Sequence, residues 1–166
     1  MERIMTDSQL LVAQEGALAL MQVVGRGTYR MAEGFKKWLE QIVATPEIKS
    51  VMFDFSRCSS LDSTFMGLMV TLALKSRGRL VLLVVNASEE HHKLLDGIGV
   101  MKVWRYVDEP VANLNWKSLA TAASGSNTLD ANMRQIIIDA HMALMEFDEA
   151  NVPKFHDVVE LMKGEA

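Results

Sequence analysis

Three consecutive residues, Asp62-Ser63-Thr64, stand between a polar stretch and an almost wholly apolar run, Phe65 to Leu74. A carboxylate at such a boundary is an N-cap, because its oxygens accept from backbone N–H groups that the first helical turn leaves free. Ser63 then becomes the first helical residue, with its hydroxyl at the positive end of the helix dipole. That position suits a phosphate, since free N–H groups and partial positive charge face it. Phosphorylation there would add roughly 1.5 to 2 negative charges beside Asp62. The altered helix tip would reject a surface that had packed closely on it, which is a switch in chemical terms. Spacing alone also allows a plainer reading, in which Asp-Ser-Thr is a capping cluster and nothing more.

Other candidate chemistry fails on its own pattern. Gly25-Arg26-Gly27 lies between a strand and a helix, but Arg30 stands where a dinucleotide fingerprint needs its third glycine. The glycines read instead as a tight strand-to-helix turn requiring positive φ. The P-loop pattern of glycines before a lysine–serine pair is absent, and no serine lies in a G-x-S-x-G elbow. His91, His92, His141 and His156 show no metal-ligand spacing and read as surface side chains. The paired acids of an aspartyl-phosphate receiver are missing, because the corresponding strand end reads Val23-Val24-Gly25. No nucleophile–base pair is expected to assemble, so the sequence predicts a non-enzyme with no catalytic residues, cofactor or metal. Met52, Met66, Met69 and Met101 lie within apolar elements and read as adaptable core filler.

The composition narrows the class further. The 166 residues are 49% hydrophobic and 23% charged, with 12 methionines and a formal charge of −4. Such a chain can bury a sizeable core, and the single Cys58 excludes a disulfide framework. Neither a basic footprint for nucleic acid nor a polybasic membrane segment is present. Glu2 and Asp7 beside Arg3 do not make a signal peptide, and the apolar run is too short to span a bilayer, so a cytoplasmic location is expected. Residues 1–110 carry 13 basic and 13 acidic side chains, whereas residues 111–166 carry 4 and 8. The negative charge therefore belongs to the C-terminal part. Glu109-Pro110 and the small, polar Ala120 to Thr128 suggest three units: a domain over 1–110, a linker over 111–128 and a helical hairpin over 129–166.

The elements that must position Ser63 follow from periodicity. Residues 8–14 and 17–24 read as a hairpin turning at Glu15-Gly16. Met31, Phe35, Trp38, Leu39 and Ile42 repeat at helical spacing until Thr45-Pro46. Val51 to Phe55 is a strand, Ser56 to Ser60 a polar loop, and Asp62 to Lys75 a helix apolar on nearly every side. Leu80 to Val85 is a buried strand, Ser88 caps a helix closed by Gly97, and Val103 to Val107 is a last strand. The order ββαβαβαβ predicts an α/β fold, a mixed and mostly parallel sheet covered by helices with an antiparallel edge. Beyond it, Leu129, Met133, Ile136, Ile137, Ala140, Leu144 and Phe147 predict a helix over 129–148. Asn151 caps a second, with Pro153 in its first turn and Phe155, Val158, Val159 and Met162 on one face.

This order, with D-S-T opening the second helix after the apolar strand VMFDF, resembles the STAS domain of anti-sigma factor antagonists over residues 8 to 110. The G-R-G turn, the LVLLVV strand and the LLDGIGVMKVWRYVDE segment agree with it. The resemblance implies that Ser63 is the phosphoacceptor of a partner serine kinase that is itself the anti-sigma factor. Asp62 would be its acidic neighbour and Thr64 a secondary site. It further implies a phosphatase, and a docking face comprising Asp62, Ser63, Thr64, Phe65, Met66, Gly67 and Val70. One departure is that the family places glycine directly after the triplet, whereas Phe65 and Met66 precede Gly67 here. A bulky Phe65 at that place would alter kinase docking.

Helical geometry adds one more expectation. Phe65, Leu68, Met69 and Leu72 face the sheet, leaving Met66, Val70, Ala73 and Leu74 as an apolar patch larger than a monomer tolerates. Either a partner or the tail helices must cover it, and a tail that does so either competes with the partner or simply completes the core. The expected function is a non-enzymatic partner-switching module of bacterial transcriptional regulation. Two alternatives stand beside it: a constitutive scaffold or homodimer joined through the C-terminal helices, and a STAS-like sensor of a small ligand.

Overall fold

The computed structural model describes residues 8–108, 114–119 and 130–164. Strands β1 (Gln9–Glu15) and β2 (Leu18–Gly27) form the predicted hairpin, turning at Gly16 with φ +62°. Helix α1 (Ala32–Val43) follows a 3-10 turn over Tyr29–Met31. Next come β3 (Ser50–Asp54), β4 (Cys58–Leu61), α2 (Ser63–Ser76), β5 (Val81–Val85), α3 (Glu89–Gly97) and β6 (Arg105–Val107). Strand β7 (Lys117–Leu119) and helices α4 (Ala131–Phe147) and α5 (Val152–Gly164) complete the chain.

The sheet runs β6-β5-β3-β2-β1-β7, with β4 paired to the far end of β2. Pairings among β2 to β6 are parallel, and β1 is antiparallel to both β2 and β7. The predicted mixed, mostly parallel α/β architecture is the observed one. Alternation along the strands sorts side chains by face. Met21, Val23, Val51, Phe53, Leu82 and Val84 meet the helices, whereas Leu20, Met52 and Val85 form a smaller cluster on the other face, under Leu114 and Trp116.

Three expectations about elements need correction. Ser56 to Ser60 was expected to be loop throughout, yet Cys58–Leu61 is β4, parallel to Gly25–Gly27. Its Cys-Ser-Ser-Leu composition carries no strand period, and pairing with the overlong β2 imposes it. The G-R-G segment is not the turn itself: β2 continues through Gly27, and the irregular register of β4 against Gly25/Arg26 takes up Gly25's φ of +82°. Finally, the segment 111–128 contributes β7, held by β1, so a linker description does not fit 117–119. Residues 1–7, Glu109-Pro110 and Ala120 to Leu129 lie outside the described residues.

Helix α2 forms the middle of a three-layer stack. Phe65, Leu68, Met69 and Leu72 are buried toward the sheet, and α4 lies along the opposite side. Ile136, Ala140, Ala143 and Leu144 of α4 belong to the same buried cluster as the sheet and α1. Burying side chains of this size stabilises by about 1.5–3 kcal/mol each before entropy is counted.

Candidate functional site at the start of α2

The strand-to-helix connection β4–α2 ends at Asp62, whose extended backbone and side chain make the predicted N-cap. Its Oδ1 accepts from the Phe65 N–H at 2.9 Å, and its Oδ2 accepts from the Tyr29 N–H at 2.8 Å. One carboxylate therefore caps two elements, α2 and the turn before α1. Its own N–H donates to the Gly27 carbonyl, which anchors the cap to the end of β2. Burial pushes the Asp62 carboxyl above its ordinary value, opposed by the Phe65 and Tyr29 N–H groups and by the nearby His141.

Ser63 is the first residue of α2 and is half-buried. Its Oγ lies 2.7 Å from His141 Nε2, across 78 residues of sequence. The His141 Nδ1 is 2.7 Å from the Ile137 carbonyl. A carbonyl only accepts, so Nδ1 carries a proton toward Ile137 and leaves Nε2 as the ring atom paired with the Ser63 hydroxyl. The ring is 4% exposed and meets Phe155 of α5 edge to face at 5.2 Å. The expectation that no nucleophile–base pair assembles is thus corrected, since tertiary packing brings a serine hydroxyl onto a histidine base. The third member is a backbone carbonyl, and both Asp62 oxygens are already engaged by N–H groups.

The histidine expectation is corrected as well. His91 and His141 are buried rather than superficial. His91 completes a capping box with Ser88, and burial lowers its pKa. His92 stacks on Tyr106 with ring centroids 3.9 Å apart, and His156 is exposed beside Asp157. Burial raises the Cys58 thiol to about 11, which leaves it protonated and unreactive at neutral pH.

The expected docking residues divide sharply. Asp62 and Ser63 are half-buried, whereas Thr64, Phe65, Met66, Gly67 and Val70 are all buried. Thr64, read as a secondary phosphorylation site, is 4% exposed. Phe65 does not obstruct the surface, because its ring points inward onto Phe35 and Phe53 at 4.8 and 6.3 Å. The close-approach glycine is Gly67 instead. A Cβ built there would overlap the backbone carbonyl of Ala140, with the carbonyl carbon 2.7 Å away and the Ala140 Cβ 2.8 Å away. Of the apolar patch expected on α2, α4 covers Met66 and Val70, while Ala73 is partly buried and Leu74 stays exposed.

Sequence reasoning did not identify His141. Its place on the apolar stripe of α4, four residues after Ile137 and one after Ala140, was the available signal. Among the described residues, no group of three His, Cys, Asp or Glu side chains could hold a metal ion, and no helix is long and apolar enough to cross a membrane. An open cleft of about 630 Å³ lies further along the α2–α4 seam, with Lys75 and Arg77 facing Asp139 and Glu146.

The sequence matches no protein-family model and no curated protein sequence. Its structure is similar to solved anti-sigma factor antagonists. SpoIIAA in its unphosphorylated form matches with TM-score 0.52 and 15% identity, over 63% of this chain and 90% of that chain. An anti-sigma factor antagonist from Mycobacterium paratuberculosis matches with TM-score 0.53 and 16% identity, over 60% of this chain and 85% of that one. The fold is thus the STAS-like fold of anti-sigma factor antagonists, followed here by C-terminal helices.

Proposed function

We propose that this protein is a non-enzymatic partner-switching module of the anti-sigma factor antagonist type, acting in the bacterial cytoplasm. It binds a serine kinase that is also an anti-sigma factor, and phosphorylation of Ser63 releases it until a phosphatase restores the hydroxyl. The observation that carries this reading is the placement of Ser63. In a fold of this kind it is the half-exposed first residue of α2, held at the helix tip by the Asp62 cap. A phosphate there gains from the helix dipole but meets the Asp62 carboxylate, so the added charge is poorly tolerated in any packed interface.

Paired baits carrying Ser63→Ala and Ser63→Asp, incubated with lysate of the source organism, test the switch. The expected result is a serine kinase retained by the alanine bait and lost from the aspartate bait. That kinase should label the wild-type chain at Ser63 and leave Ser63→Ala unlabelled. Equal labelling of both proteins would remove the proposal.

A second reading is a constitutive dimerising subunit. It draws on α5, where Val158 and Leu161 are exposed. Mass measured against concentration decides it, and Leu161→Asp should abolish any self-association that runs through this face.

A further inference from the structure

We infer that α4 is a displaceable cover over the α2 face, with the Ser63–His141 hydrogen bond as its latch, so that a docked α4 and a phosphate on Ser63 exclude one another. The inference rests on the reading that Ser63 is a phosphoacceptor, and adds how the chain itself regulates that site.

The stacking order makes α4 separable. The sheet-facing residues of α2 lie on the side away from α4, which packs along the opposite side and against α1. The similar fold in SpoIIAA fills 90% of that chain while using 63% of this one, so a two-layer version of the architecture stands as a complete protein. The face under α4 is apolar and buried at Met66 and Val70, and Gly67 admits the Ala140 backbone directly. It fits an amphipathic helix with a small residue over Gly67, and α4 is the copy of that shape carried in the same chain.

The latch geometry supplies the exclusion. At 2.7 Å, Ser63 Oγ and His141 Nε2 leave no room for a phosphorus and its three oxygens between them. Phosphoryl transfer forms a bond from Ser63 Oγ to the terminal phosphorus of a nucleoside triphosphate and breaks that phosphorus's bond to the bridging oxygen. The hydroxyl proton passes to a base of the kinase. Oγ can then no longer donate, and the phosphate oxygens cannot occupy the 2.7 Å gap that the hydroxyl spans. Either α4 moves away, or the phosphoserine swings to solvent and leaves His141 without its partner. Both outcomes loosen the same helix. Approach to Ser63 by an enzyme is likewise obstructed while His141 occupies the hydroxyl.

Hydrogen exchange of the full chain tests this without a kinase. Phosphoserine is installed at position 63 during synthesis, and Ser63→Glu and Ser63→Ala are measured beside it. Amides of α4 should exchange about ten times faster in the phosphoserine and Ser63→Glu proteins than in the unmodified chain, with Ser63→Ala showing only the smaller increase that loss of the hydrogen bond gives, while those of β3 and β5 stay unchanged. Equal or slower exchange of α4 would overturn the inference, since a phosphate that pairs with a protonated His141 would tighten the latch. If Ser63→Glu accelerates the sheet as well, that variant has lost its fold and the phosphoserine protein decides. Failure of the kinase reading shows separately, as absent labelling in lysate with α4 still responding to the installed phosphate.

Discussion

At the residue scale, Gly67 and Asp62 carry the constraints that a substitution exposes most directly. Alanine is the better helix former by about 1 kcal/mol, so an unconstrained glycine in α2 would gain from Gly67→Ala. Here the added Cβ meets the Ala140 backbone rather than a side chain that can turn away. Overpacking of that kind costs about 1–3 kcal/mol, so Gly67→Ala should lower stability in urea unfolding despite its propensity gain. An increase would mean that α4 relaxes away from α2 at little cost.

Asp62 has an equally definite sign. Burial raises its folded-state pKa above the ordinary 3.8, so the folded chain keeps this proton to a higher pH than the unfolded chain does. The stability linked to protonated Asp62 is complete below 3.8 and is lost as pH rises through the folded value. Asp62→Asn keeps the Phe65 acceptor and turns an amide toward the Tyr29 N–H, an offset that does not change with pH. The stability of the wild type relative to Asp62→Asn should therefore fall with rising pH across that window. A flat or rising difference, measured by urea midpoints, would show that the N–H donors outweigh burial.

At the element scale, α4 is held at more than one place. The Ser63–His141 bond holds its middle, and Asn151 donates to both the Leu144 and Ile98 carbonyls at its C-terminal end. Lys102–Asp148 at 2.7 Å and Lys154 on the Gly97 carbonyl tie the α4–α5 junction to the turn after α3. Leu144 is fully buried, so Leu144→Ala should cost about 2–5 kcal/mol in chemical denaturation. A much smaller loss would place α4 outside the cooperative unit.

The position of a truncation also matters. Ending the chain at residue 129 removes α4 and α5 but spares β7, Leu114 and Trp116. That protein should keep its sheet, bind an apolar dye on the bared α2 face, and bind the kinase partner more tightly. Removing everything after 110 strips β7 and the outer-face cover as well, and should destabilise the sheet. Unchanged partner affinity after the shorter deletion would assign α4 to core completion alone.

At the scale of the whole molecule, the sheet has unequal faces. One supports α1 to α3 and, through α2, the fourth helix; the other is closed by Leu114 and Trp116 from the segment before β7. Trp116→Ser should expose Leu20 and Met52 and lower stability by about 1–3 kcal/mol, with little effect at Ser63, which lies toward the other face. A change in Ser63 labelling by that variant would reveal coupling through the sheet. The buried Asp54 lies on this outer side of β3, where both its oxygens accept from Gln22, Ser56 and Asn86.

Elements whose signals are local can be read directly along the chain. Asp62 as a cap, α2 as an all-round apolar helix, the β1–β2 hairpin and the two tail helices are each readable from residues within a turn or two of one another. The βα order then defined the class of fold. Strand β4 was illegible because its pairing is imposed by the overhang of β2 rather than by its own alternation. His141 was illegible as a site residue because its place on the apolar stripe of α4 points to burial and not to what it meets; only the packing of α4 on α2 carries it to Ser63. The same packing decided what covers the apolar patch, which the sequence left open between a partner and the tail. Capping and periodicity act over a few residues and are written in order along the chain. A contact between positions 63 and 141 depends on how two amphipathic faces fill the space between them, and the tertiary structure alone decides that.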